Sequence, residues 1–137
     1  MSSFNEEAQH LQNKVEDILR KHDITPRDDI FYGEENGDGS LEINIKKDSD
    51  GWHWWEVERA RINRDKITID EDEIIYWIIK QSTRGKASEG IDWTARSKRK
   101  NPRKIFFNRH IKLMNKINPD WAKKLKSEYD QYLNAES

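Results

Sequence analysis

The hydrophobic residues of the first twenty positions fall on one stripe of a helix. They recur at steps of three and four, and they are Phe4, Ala8, Leu11, Val15, Ile18 and Leu19. Ser3 and Glu6 have the spacing of a capping box, in which the hydroxyl accepts a backbone hydrogen bond and the carboxylate reaches back. The pattern predicts an amphipathic helix that begins after Ser3 and ends near His22, before Pro26.

A period of two replaces the helical spacing between residues 30 and 69. Leu41, Ile43 and Ile45 alternate with polar residues, as in a strand with one buried face. The turn sequence Asn-Gly-Asp-Gly at 36–39 is expected to join this strand to a short preceding strand, Ile30–Tyr32.

A second turn sequence, Asp-Ser-Asp-Gly at 48–51, leads into an aromatic strand, Trp52–Arg59. Isoleucines at 62, 67 and 69 supply a fourth strand at the edge. Together these segments predict an antiparallel meander of three or four strands.

Helical spacing returns at Asp70, which is placed to cap a helix with an apolar surface almost all round, as a buried helix has. Gly85 and Gly90 weaken its continuation. We therefore expect a frayed helix or a loop from Ser82 to Lys100, in which Ile91 and Trp93 act as anchors.

Two Asn-Pro pairs, at 101–102 and 118–119, have the N-cap and N1 chemistry that starts a helix. Apolar stripes follow both pairs. The order of segments predicts one α+β domain over residues 1–137, with an N-terminal helix, the antiparallel meander, and three C-terminal helices packed on the sheet.

Composition supports a folded chain. Charged residues make up 37% of the 137 residues and the mean hydropathy is −1.13, values that also occur in disordered chains. Here the apolar residues are grouped, and six Trp, four Tyr and four Phe add large surfaces to bury. A chain of this length buries about two-thirds of its unfolded surface in one core.

The net charge of −1 conceals two halves of opposite sign. Residues 1–75 hold 20 Asp and Glu against 10 Lys and Arg, whereas residues 76–137 hold 6 against 15. Such a division indicates either a charged face that steers a partner of opposite sign, or halves that pair with each other.

The sequence offers little for catalysis or metal binding. Cys is absent, which excludes a disulfide framework and a thiolate nucleophile, and the four histidines lack metal-ligand spacing. His110 lies on an apolar stripe, which favours a hydrogen-bonded core histidine, and His53 is expected to be oriented by Glu58 or Arg59. No hydrolase, phosphate-loop or zinc-protease motif is present. We expect no enzyme and no cofactor.

Nothing at the start of the chain resembles a signal peptide, and no apolar run approaches the ~18–20 residues that cross a bilayer. We expect a cytoplasmic protein without membrane contact, and a monomer rather than an oligomer. The run Arg96–Lys104 holds six cations in nine residues and could contact nucleic acid, with Trp93 as a stacking platform. A solvated loop, or one paired with the acidic half, is the favoured interpretation.

Several blocks resemble one known family. They are an acidic helix start that leads into Tyr76-Trp77, then Arg103 and Leu113, then the corner with Pro119 and Trp121. Two further matches, Trp52-His53-Trp54 and Glu58-Arg59, form an aromatic strand with a Glu-Arg end.

In this order, residues 51–133 resemble the immunity protein 63 family, whose members accompany polymorphic toxins of the kind used in contact-dependent growth inhibition between bacteria. Ala60 stands where the family has Gly, and the segment Arg84 to Lys100 matches poorly.

The resemblance implies a protein that binds and neutralises a toxin domain. Many such toxins are nucleases with electropositive clefts, so carboxylates on the inhibitor can mimic phosphate. The acidic residues that could do so are Asp28, Asp29, Glu34, Glu35, Asp38 and Glu42; the alternative is a polar hairpin rim. Trp52 or Trp54 could be an exposed anchor if helices cover only one face of the sheet, although core packing is favoured.

Overall fold

The computed structural model describes residues 3–33, 39–59, 61–94 and 101–135. The elements follow the order helix, four strands and three helices, so the predicted α+β class is confirmed. The helices are α1 (Phe4–Lys21), α2 (Glu71–Ser88), α3 (Pro102–Ile117) and α4 (Pro119–Ala135). The strands are β1 (Ile30–Tyr32), β2 (Glu42–Asp48), β3 (Gly51–Glu58) and β4 (Arg61–Thr68). None of the described helices is long and apolar enough to cross a membrane.

The chain divides into two compact units, residues 1–79 and residues 80–137, and the boundary falls within α2. The first unit holds α1 and the whole sheet. The second holds the end of α2 with α3 and α4. The single domain expected from the sequence, and the packing of its helices on the sheet, stay predictions.

The helix ends follow the predicted capping chemistry. Ser3 Oγ accepts from the backbone N–H of Glu6 at 3.1 Å, and Asp70 Oδ1 accepts from that of Asp72 at 2.9 Å. Asn101 and Asn118 cap α3 and α4 through their side-chain oxygens in the same way. These local rules hold because a cap involves only neighbours along the chain.

One strand pairing differs from the prediction. The four strands lie in sequence order, and β2, β3 and β4 pair antiparallel, but β1 pairs parallel to β2, with Ile30 opposite Ile43 and Tyr32 opposite Ile45. The expected hairpin turn at 36–39 lies mostly outside the described residues. A parallel pair needs a connection that returns the chain to the starting end, which a two-residue turn cannot provide.

The sheet is buried more deeply than an alternating strand predicts. α1 contacts β1 and β2, and Gln9 Nε2 donates to the carbonyl of Tyr32 at 2.8 Å. Ile43 and Ile45 are buried as expected, whereas Leu41 precedes β2 and is 55% exposed, so its predicted burial is wrong. Glu42 and Asn44 on the other face are buried too. β2 is a central strand, so neighbours on both sides shield it, and the prediction of one exposed face is wrong there.

The frayed helix or loop expected from Ser82 to Lys100 is wrong for residues 82–88 and confirmed for residues 89–94, which lie in turns and loop, while residues 95–100 lie outside the described part. The helix continues through Gly85 and ends at Ser88. Gly90, in the turn that follows, has a φ of 72°. Trp93 is 53% exposed and is therefore not a buried anchor. A single glycine costs a helix only about 1 kcal/mol, which packing elsewhere along α2 offsets.

Candidate functional site

Of the acidic residues predicted to bind a partner, the structure describes Asp28, Asp29 and Glu42. Asp28 is exposed and Asp29 is half-buried in the turn before β1. Arg27 holds the Asp29 carboxylate with two bonds, Nε to Oδ1 at 2.8 Å and Nη2 to Oδ2 at 2.6 Å. That hydrogen bonding keeps the pKa of Asp29 below its ordinary value. Asp29 is therefore a charged group with an intramolecular partner.

Glu42 does not belong to an exposed acidic rim. It is 4% exposed in β2, between two strands, so a partner cannot reach its carboxylate in this conformation. Glu34, Glu35 and Asp38 lie outside the described residues. Of the predicted acidic set, the structure therefore places only Asp28 and Asp29 side by side near the surface.

The two candidate tryptophans are core residues. Trp52 and Trp54 are 3% and 4% exposed and lie on the same face of β3, which is the face that also carries Ile45 of β2. Neither indole is an exposed anchor, which agrees with the favoured interpretation of core packing. α1 and the start of α2 contact this face, because Glu7 pairs with Lys47 at 3.3 Å and Glu73 accepts from Thr68 at 3.2 Å.

Lysine ammonium groups lie over the rings of these indoles. Lys47 Nζ lies 5.1 Å from the Trp52 ring centroid. Lys66 Nζ lies between Trp54 at 5.6 Å and Trp77 of α2 at 4.3 Å. Each contact is a cation–π interaction that stabilises by about 0.5–1 kcal/mol at an exposed site. Lys66 thereby connects β4 to the first turns of α2.

His110 is a structural residue in a complete hydrogen-bond chain. Thr83 Oγ1 donates to the Lys80 carbonyl at 3.1 Å, so it accepts from His110 Nε2 at 2.6 Å. The other ring nitrogen, Nδ1, then accepts from the Tyr129 hydroxyl at 2.5 Å. All of these side chains except Lys80 are buried, which confirms the prediction of a hydrogen-bonded core histidine.

His53 has different partners from those predicted. Its Nε2 lies 2.8 Å from Asp48 Oδ2, and its Nδ1 lies 3.5 Å from Asp65 Oδ1. Neither Glu58 nor Arg59 supplies the contact. Cross-strand pairing is the reason, because Asp65 is diagonal to His53 on β4, and Asp48 begins the turn that returns the chain beside it.

The basic run is described only at its end, because residues 95–100 lie outside the described part. Beside it, Trp93 contacts Phe106 at 5.7 Å between ring centroids. These two rings line a small cleft of about 240 Å³ with Arg84 and Gly85. An exposed indole near cations is an arrangement that can stack on a base or on an apolar group of a protein.

Charge follows the division into units. The unit of residues 1–79 holds 20 Asp and Glu against 10 Lys and Arg, and the unit of residues 80–137 holds 6 against 15. The imbalance is greatest on α3, which has five cations and no carboxylate. Each unit therefore presents a field of one dominant sign.

Sequence reasoning singled out Arg96–Lys104 but missed a second group of cations. Lys112, Lys116, Lys123 and Lys126 line a cleft between α3 and α4. The i, i+4 and i, i+3 spacings were visible in the sequence, together with the lack of acids on α3. What brings the two pairs together is the packing of α3 on α4, which the spacing alone does not determine.

Within the part of the chain that the structure describes, no group of three or more His, Asp or Glu could hold a metal ion. The described geometry thus consists of a helix-backed sheet, a polar core chain around His110, and surfaces of opposite charge.

The chain belongs to the immunity protein 63 family. The family model matches residues 48–131, which is more than half of the chain and includes β3, β4, α2, α3 and most of α4. Family membership implies an immunity protein whose partner is a protein toxin, and a role that is not enzymatic. Neither a curated protein nor a solved structure matches the chain.

Proposed function

We propose that this protein binds a cognate toxin domain of a polymorphic toxin system, of the kind used in contact-dependent growth inhibition, and neutralises it stoichiometrically. The observation that carries the proposal is the family match over residues 48–131. In this proposal the protein acts in the cytoplasm as a monomer folded as one domain. It performs no reaction itself and needs no cofactor or membrane.

The toxin is proposed to be a nuclease. A nuclease cleft must be electropositive to hold a phosphodiester, and the unit of residues 1–79 carries twice as many acids as cations. The proposed contact uses the exposed Asp28 and the half-buried Asp29. It also uses Glu34, Glu35 and Asp38, which lie outside the described residues. Occlusion of the cleft by these groups would give fast, salt-sensitive association.

Co-expression tests the proposal. The protein is expressed with the C-terminal domain encoded immediately upstream, growth is scored, and the purified pair is titrated by calorimetry. We expect growth rescue and a 1:1 complex with a dissociation constant in the nanomolar range, about −12 kcal/mol of binding free energy. Absence of rescue together with a dissociation constant above about 1 μM would contradict the proposal.

Nucleic-acid binding through Arg96–Lys104 is the second candidate. The exposure of Trp93 is the observation in its favour, since an open indole beside cations suits base stacking. A gel-shift titration with single-stranded RNA and duplex DNA decides between the two candidate functions. Tight binding with a steep salt slope would favour nucleic acid, whereas indifference to both would favour the toxin.

A further inference from the structure

A cleft of about 460 Å³ lies between α3 and α4 in the second unit. Lys112 and Lys116 line it from α3, and Lys123 and Lys126 line it from α4. All four lysines are exposed, while the half-buried Ile111 and the buried Ala122 give the cleft an apolar floor. We call this feature the lysine groove.

The lysine groove gathers four like charges, of which Lys126 has a carboxylate partner among the described residues. Lys112 and Lys116 are four residues apart on α3, and Lys123 and Lys126 are three apart on α4, so each pair repels on its own helix. No carboxylate lines the cleft. Lys126 pairs with Asp130 at 3.0 Å, but no ion pair joins Lys112, Lys116 or Lys123 to any residue in the described ranges. A ligand of negative charge would relieve this repulsion.

The apolar floor of the lysine groove favours one class of anionic ligand over another. Single-stranded nucleic acid is normally held by a basic groove that also offers aromatic rings for stacking. No aromatic residue lines the lysine groove, and the exposed Trp93 belongs to the separate cleft with Phe106. An apolar floor between cations instead matches a protein segment that combines carboxylates with an apolar side chain.

We propose that the lysine groove binds an acidic segment of the cognate toxin, in which Asp or Glu side chains flank an apolar side chain. The inference rests on the proposed function and adds a second contact to it. The acidic unit of the immunity protein faces the basic cleft of the toxin, and the lysine groove holds an acidic part of the same toxin. Each unit then meets a surface of opposite sign.

Paired charge reversals test the groove. The variant K112E/K123E changes one lysine from each helix inside the groove, and the control K104E/K124E changes one exposed lysine from each helix outside it. Both alter the net charge equally. We expect the groove variant to weaken toxin binding by about 10- to 100-fold and the control by less than about threefold, as measured by calorimetry.

The neutral variant K112Q/K123Q controls for misfolding of the charge-reversal variant. It removes the charges without adding new ones, and it is expected to weaken binding in the same direction, about 3- to 10-fold, with the thermal midpoint of the wild-type protein. Circular dichroism of all three variants establishes that they fold. Equal affinity of the groove variants and the control would overturn the inference.

Failure of the inference can be separated from failure of the proposed function. If the wild-type protein neither rescues growth nor binds the toxin domain, the proposed function is contradicted, and so is the inference that the lysine groove binds the toxin. If wild type binds tightly and the groove variants do too, only the groove is wrong.

Two other occupants give distinct results. Binding of an RNA oligonucleotide that K112E/K123E abolishes would make the groove a nucleic-acid site. A wild-type dimer that the same variant dissociates, measured by light scattering, would make it a contact between two copies. Either result would overturn the inference.

Discussion

His110 illustrates how one residue can couple stability to pH. Burial, with Arg84 and Lys80 nearby, lowers the pKa of His110 to about 4 from an ordinary value of 6.5. The hydrogen-bond chain agrees with this direction, because a protonated ring could not accept from the Tyr129 hydroxyl. Burial raises the pKa of Tyr129, so that hydroxyl stays a donor.

We predict that this histidine destabilises the fold in mild acid. The unfolded chain takes up the proton near pH 6.5 whereas the folded chain does so only near pH 4, so the unfolded state binds more protons in between. The stability that neutral His110 contributes to the folded state is fully present above pH 6.5 and is lost as the pH falls towards 4. It amounts to about 2 kcal/mol between pH 7 and pH 5.

The variant H110F provides the measurement. Urea unfolding of wild type and variant at both pH values gives the difference in the free energy of unfolding, in which the other titrating groups cancel. The difference should shrink by about 2 kcal/mol on acidification. A difference independent of pH would show that His110 does not titrate in this way.

Two secondary-structure elements, β3 and α2, contain glycines with opposite roles. Gly51 begins β3 at a φ of 130°, and a Cβ there would lie 2.6 Å from the Thr68 carbonyl oxygen. Gly85 is inside α2, and a Cβ there would meet nothing within 4 Å. The first glycine is required by close backbone approach in the sheet, and the second only weakens its helix.

The same substitution should therefore have opposite signs at the two sites. We expect Gly51→Ala to destabilise by about 1–3 kcal/mol, through strain and the clash with backbone. Gly85→Ala should stabilise by about 0.5–1 kcal/mol, because alanine restricts the unfolded chain and suits the helix. Urea unfolding measures both, and destabilisation by Gly85→Ala would mean that the helix packs more tightly there than the structure shows.

At the scale of the whole molecule, we expect the division of charge to govern the rate of association with a partner. The first unit has an excess of ten acids and the second an excess of nine cations, so a net charge of −1 hides two strong fields. Opposed fields orient a partner before contact, which accelerates encounter more than it tightens the final complex.

This predicts a salt-dependent association rate with the toxin domain. Raising the salt from about 50 to about 500 mM shortens the Debye length from roughly 14 to roughly 4 Å, so the steering fields are screened. Stopped-flow mixing should show the association rate constant falling by about tenfold or more, with a smaller change in the dissociation rate. A rate independent of salt would remove steering from the mechanism.

The sequence by itself determined what depends on near neighbours. The caps at Ser3, Asp70, Asn101 and Asn118 were predicted correctly, because capping acts within a few residues. Of the predicted stripe of α1, four positions are buried, Ile18 is half-buried, and Phe4 in the first turn is 48% exposed. The family was also readable, since its blocks occur in order along the chain.

Tertiary structure decided what depends on distant segments. The parallel pairing of β1 with β2, the burial of Glu42, and the partners of His53 all follow from which strands become neighbours. The lysine groove arises in the same way, because spacing placed two lysines on each helix but only packing set the pairs on opposite sides of one cleft. Local patterns determine which residues share one face of a helix or strand, and tertiary packing determines which residues that face contacts.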